Sequence, residues 1–117
     1  MNLHRITHKE SGAILAQQVK FADNFWLRLT GLMFTNEMKG YDGILFEPGN
    51  SIQTCFMRYP IDVVFLTKDF EVVKVVRSMK PWRFTRMYLR AHKALEVAAG
   101  SVPAVVQVGS RLEVSRV

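Results

Sequence analysis

Cysteine is nearly absent: Cys55 is the single thiol in 117 residues, which excludes an internal disulfide and any multi-thiolate metal site. Long apolar runs are missing too. No stretch approaches the roughly 20 residues that a bilayer-spanning helix needs, and the opening MNLHRITHKESG has no apolar core of signal-peptide length. A soluble, cytoplasmic protein without a transmembrane segment is the expectation. Histidine is sparse, and His4, His8 and His92 show neither His-x-His nor His-Glu-x-x-His spacing, so no metal site is expected. No glycine-rich loop follows a strand in P-loop or dinucleotide form, so no cofactor is expected either. Internal repeats, low-complexity tracts and Pro/Gly/Ser linkers are all lacking, which leaves one domain over residues 1–117, long enough to bury about two thirds of the surface its unfolded chain exposes.

Acidic side chains vanish from one window. Between Glu71 and Glu96 there are none, while Lys74, Arg77, Lys80, Arg83, Arg86, Arg90 and Lys93 all fall inside it, in a chain with 16 Lys and Arg against 10 Asp and Glu and a formal charge of +6. Trp82, Phe84 and Tyr88 are interleaved with these cations. Such a mixture neutralises phosphates while its rings stack on unpaired bases, so Arg77, Lys80, Trp82, Arg83, Arg86, Tyr88 and Arg90 are candidate contacts for nucleic acid or an anionic surface. The bland account is a solvated loop between two strands, its arginines alternating outward and Trp82 capping the core beside Pro81.

What is abundant is short β-type patterning. LHRITH (3–8) and AILAQQVKFA (13–22) flank a turn at Glu-Ser-Gly. ILFEPGNSIQTCF offers two strands around Glu-Pro-Gly-Asn, and IDVVFLTKDFEVVKVV reads as a hairpin joined near Lys68-Asp69, its arms rich in Val, Ile and Phe. KALEVAAG and VGSRLEVSRV supply two more strands. In DNFWLRLTG, Asp23 stands at an N-cap position and Gly31 at a left-handed C-cap, with Phe25, Leu29 and Leu32 on one face, which predicts a helix of about two turns. The expected fold is mainly β: a compact antiparallel sandwich or partly closed barrel, jelly-roll-like, with one or two short helices.

Within TCFMRYPIDVVFL (54–66) an arginine, a proline and an aspartate interrupt an apolar run. A period of two from Ile61 places Asp62, Val64 and Leu66 on one face and Ile61, Val63 and Phe65 on the other. An unpaired buried carboxylate costs several kcal/mol, and Arg58 is the obvious partner for Asp62, with Pro60 marking a bulge or strand start between them. Either the three residues fix a chain reversal through a charge-assisted bond, or they line a pocket mouth for a polar ligand, with Met57, Arg58, Tyr59, Asp62 and Trp82 as candidate binding residues. Glu96 sits among Ala94, Leu95, Val97 and Ala98 and is expected to point to solvent from a one-sided sheet; turned inward beside Asp62 it would give a glycosidase-like carboxylate pair. Cys55 lacks a base of cysteine-hydrolase type and reads as a small core side chain.

Four blocks in order, GLMF (31–34), DGILFEP (42–48), SIQTCFMRYPIDVVFL (51–66) and ALEVAAGSV with VGSRLEV from 94 onward, resemble the family catalogued as domain of unknown function 192, over about residues 12–115. The resemblance implies a compact β-rich domain found in bacteria and archaea, without an established biochemical activity. The chain departs from the pattern where Gln53 replaces a frequent His, Cys55 holds an aromatic position and Ser110 replaces the Asp of Gly-Asp-Arg-Leu. A non-enzymatic β-sandwich domain binding a small polar ligand at Arg58 and Asp62 is the first expectation, nucleic-acid or anionic-surface binding through residues 74–93 the alternative. A hydrolase using Asp62 and Glu96 comes third, because no spacing promises two titratable groups in reach.

Overall fold

The computed structural model describes residues 2–22 and 30–117. Its regular elements are β1 (Leu3–His8), β2 (Ile14–Ala22), β3 (Gly43–Phe46), β4 (Ile61–Leu66), β5 (Val72–Met79), β6 (Lys93–Ala98) and β7 (Leu112–Arg116). They form one sheet in the order β5-β4-β6-β3-β2-β1-β7. Pairing is antiparallel except between β2 and β3. The predicted hairpin is present as β4–β5.

The expectation of one or two short helices is corrected: among the described residues every element of more than one residue is a strand, and Thr30 alone is helical. The predicted helix over 23–31 falls largely on residues 23–29, outside the described residues, although Gly31 takes the positive φ of 49° expected of it. Elsewhere the chain between strands is spent on tight turns rather than helical ones. Of the two expected arrangements the partly closed barrel is the one formed: the seven strands make a single curled half-barrel sheet rather than two stacked sheets. Sequence patterning cannot reveal that β6, late in the chain, inserts between β3 and β4 and makes the sheet continuous. The edge strands β5 and β7 approach each other at one end, where Glu71 bridges to Arg111 and the Val72 amide donates to the Ser110 carbonyl at 2.8 Å.

The two-residue period of β4 separates the faces as expected. Val64 and Leu66 join Leu45, Leu95, Val97, Ile6 and Leu112 in the core inside the curl. Ile61, Val63 and Phe65 join Ile44, Phe46, Ala94, Leu32 and Met57 on the opposite face. All six residues of β4 are buried, as for a strand covered on both sides. Gly43 is required for close packing: a Cβ there would lie 3.1 Å from Val97 Cγ1 and 3.3 Å from the Glu96 carbonyl. The second face is roofed by the segments after Gly31, around 50–60 and around 80–91, and the candidate sites lie in this roof. Among the described residues no helix is long and apolar enough to cross a membrane.

Candidate functional site

Asp62 is buried, yet its partner is not Arg58. Its Oδ1 accepts the Ser78 amide at 2.8 Å, and its Oδ2 accepts the amides of Gly100 at 3.0 Å and Val102 at 3.2 Å. Three backbone donors on one carboxyl satisfy an acceptor-only group without a cation, and they tie β4 to a bulge in β5 and to the turn after β6. Arg58 is exposed and donates to Asn36 Oδ1 at 2.8 Å. The remaining candidates of the polar-ligand site are dispersed. Met57 is buried in the second face, Tyr59 lines a separate pocket of about 310 Å³ with Tyr41 and Asn36, and Trp82 is exposed on another loop. Asp62 and Glu96 also point to opposite faces, since Asp62 pairs in register with Val97 and Glu96 with Val63. A shared carboxylate site is thereby excluded.

The basic segment divides into cations already engaged and cations left outward. Arg77 donates to the carbonyls of Val102, Pro103 and Val106, Arg90 pairs with Glu71 at 3.5 Å, and Lys93 pairs with Glu47. Tyr88 packs its ring on Phe65 at 4.7 Å, with the Arg86 guanidinium over its face at 5.8 Å. Lys80, Arg83 and Arg86 are exposed and make no ion pair among the described residues, although Arg83 donates to the Trp82 carbonyl at 3.3 Å. They border Trp82.

Trp82 belongs to a run that spans three loops. Phe34 lies 5.1 Å from Phe56, and Phe56 lies 4.7 Å from Trp82, ring centre to ring centre. All three are about half exposed, at 58%, 46% and 55%. All three also have positive φ, 63°, 64° and 64°, a region that bulky residues rarely adopt and that costs of order 1–3 kcal/mol each. Surrounding bonds enforce it: the Phe34 amide donates to the Phe56 carbonyl at 2.9 Å and the Trp82 amide to the Thr54 carbonyl at 3.0 Å. Thr54, fully buried, is the hub, its hydroxyl donating to the Lys80 carbonyl at 2.7 Å and accepting the Arg83 amide at 2.9 Å. This also explains why the strand expected over 51–56 is reduced to one bridge, Gln53 to Phe84: Thr54 serves the loop carrying Trp82 rather than a ladder. Phe34 and Phe56 were not legible as site residues, for no periodicity links GLMF to TCFM.

Beside this run lies a half-open pocket of about 140 Å³, lined by Leu32, Met33, Phe46, Ile52, Met57 and Glu96, with Ser51 and Gln53 at its polar side. Glu96 is only 4% exposed, contrary to the expectation of a solvent-facing side chain. It stands on β6 between Ile44 of β3 and Val63 of β4, so both neighbours on its face are apolar. Burial pushes its carboxyl up to about 8 through the lost hydration, and among the described residues no donor offsets that loss. Gly31 crosses above it, where a Cβ would sit 3.1 Å from the Phe46 ring and 3.9 Å from Glu96 Oε2.

A family model described as Uncharacterized ACR, domain of unknown function 192, matches residues 6–114. The chain is 40% identical over 105 residues to the UPF0127 protein PF1050 of Pyrococcus furiosus, covering 85% of this chain and 88% of that protein. A solved chain from Sinorhizobium meliloti, provisionally named a transcription regulator, has a TM-score of 0.76 and 25% identity over 96% of this chain and 92% of its own length. A protein of unknown function from Novosphingobium aromaticivorans shares the fold, with a TM-score of 0.77 at 18% identity over 95% and 83% of the two chains.

Proposed function

This chain belongs to the domain of unknown function 192 family, and on that premise we propose that it binds single-stranded nucleic acid on the Phe34–Phe56–Trp82 run, with Lys80, Arg83 and Arg86 meeting the phosphates. The observation that carries the reading is the run itself: three half-exposed rings, 5.1 and 4.7 Å apart, held at positive φ on three different loops. Folding alone gives no reason to keep large apolar rings in water on a strained backbone. Backbone outliers of this kind cluster where a surface must be pre-shaped for a partner. Base stacking on an aromatic side chain contributes about 1–3 kcal/mol per base and tolerates any base, since every base has a π-face. The neighbouring cations fit the same ligand, as no acidic residue interrupts the chain between Glu71 and Glu96. The regulator name carried by the Sinorhizobium meliloti chain points the same way.

Fluorescence anisotropy of a labelled 12-nucleotide strand tests it. Three phosphate contacts predict a slope of log affinity against log salt near −2, from about −0.7 per contact on single strands. Trp82→Ala is expected to weaken binding roughly 5- to 150-fold through the lost stacking, and Lys80→Glu with Arg83→Glu to flatten the salt slope. Affinity that ignores both salt and Trp82 would refute the reading.

A further inference from the structure

We propose that the pocket beside the aromatic run receives a single six-membered heteroaromatic ring of pyrimidine type, whose adjacent N–H and C=O pair with the carboxyl of Glu96. The inference deepens the nucleic-acid reading and rests on it for the source of the ring. Size comes first: at about 140 Å³ the half-open pocket is close to the roughly 150 Å³ cavity that accepts one benzene, so a single six-membered ring fills it and the second ring of a fused purine is left to the open side. The chemistry of the walls agrees. Leu32, Met33, Phe46, Ile52 and Met57 offer apolar and thioether contacts to a flat ring, and Ser51, Gln53 and Glu96 are polar groups of the same lining.

Glu96 lines the pocket and is more than nine-tenths buried, and among the described residues no hydrogen bond or ion pair reaches its carboxyl. A buried polar group left in this state invites a ligand that completes it. In its protonated form the carboxyl is one donor and one acceptor side by side, the complement of an imide or lactam edge. A second polar group, Gln53, lies in the pocket lining. The Gln53 Oε1 accepts the Cys55 amide at 2.6 Å, which fixes the side-chain amide and leaves its NH2 beside Met33, with Nε2 4.0 Å from the sulfur. The pocket adjoins the aromatic run, for Met33 and Met57 of its wall are the chain neighbours of Phe34 and Phe56. Facing Glu96 from β3 and β4 are Ile44, Phe46, Ile61 and Val63, none titratable, and among the described residues Tyr59 is the phenol whose ionisation senses it.

A pyrimidine free in solution and one extruded from a strand share this chemistry, and titration calorimetry with uridine, adenosine and an oligothymidylate separates them. At pH 6.5 uridine is expected to bind, and adenosine about tenfold or more weaker. Glu96→Leu is expected to lose uridine binding by about tenfold or more, through the lost pair of hydrogen bonds. Glu96→Gln keeps a donor and an acceptor and is expected to stay within about threefold of the wild type. Above pH 8, where the carboxyl ionises, uridine affinity should fall in the wild type and hold in Glu96→Gln. Absence of uridine binding, equal uridine and adenosine affinity, or indifference to Glu96→Leu in folded protein would overturn the pocket assignment even if the oligonucleotide binds. Uridine binding that depends on Glu96 without oligonucleotide binding sustains the pocket and removes only the stacking platform.

Discussion

Glu96→Gln should change stability in a manner that depends on pH, and the size follows from burial alone. In the fold the carboxyl titrates at about 8 against an ordinary value of 4.5. Between those values the native state holds a proton that the unfolded chain has released, so native stability falls as pH rises across that window. Below about pH 4.5 both states are protonated and the group contributes no pH dependence; above about 8 both are ionised and the full penalty is reached. At about 1.4 kcal/mol per pH unit, the penalty is roughly 3 kcal/mol at pH 7 and roughly 5 kcal/mol beyond pH 8. Domains of this size have total stabilities of about 5–15 kcal/mol, so a substantial part of the margin is involved. Glutamine keeps the shape and removes the titration, while every other ionisable group stays the same in both proteins. Urea unfolding followed by circular dichroism at pH 5, 6, 7 and 8 therefore isolates Glu96, and the variant should gain steadily on the wild type over that series. A stability difference that is constant from pH 5 to 8 would refute the reasoning, because it would mean that Glu96 carries the same charge in the folded and unfolded states throughout.

Two further expectations concern the scaffold. Asp62→Asn turns a group that accepts from Ser78, Gly100 and Val102 into one that must present an NH2 to at least one of those donors; a loss of about 1–3 kcal/mol is expected, read as a lower urea midpoint at unchanged slope. Gly49→Ala would place a Cβ 2.7 Å from the Ala94 amide nitrogen and 3.0 Å from the Phe46 carbonyl oxygen. Both are backbone atoms of central strands, so a loss of about 1–3 kcal/mol is expected, measurable as a lower melting temperature, whereas Gly12→Ala, where a Cβ meets open space, is limited to the strain of its positive φ.

Most strands were legible because their signal is local. The hairpin arms, LHRITH and LEVSR carry alternation and β-branched residues within a few positions, and each forms the strand expected of it. The period of two also sorted Val64 and Leu66 from Ile61, Val63 and Phe65 before any pairing was known. The burial of Asp62 was legible for the same reason, but its partners were not: the donors are amides 16, 38 and 40 residues away, and a backbone amide has no residue type to recognise. Proximity in sequence favoured Arg58, which tertiary structure sends to Asn36 instead.

The order of residues by itself determined a β-rich chain, its strand faces and the acid-free window from 71 to 96, since each depends on the chemistry of near neighbours. Tertiary structure alone decided that Phe34, Phe56 and Trp82 meet, and that Glu96 is enclosed rather than solvated. The reason is physical: a ring contact or a buried carboxyl is set by which distant segments fold over one face of the sheet, and those are long-range choices made by packing, with Thr54 and Gly31 holding the covering loops in place.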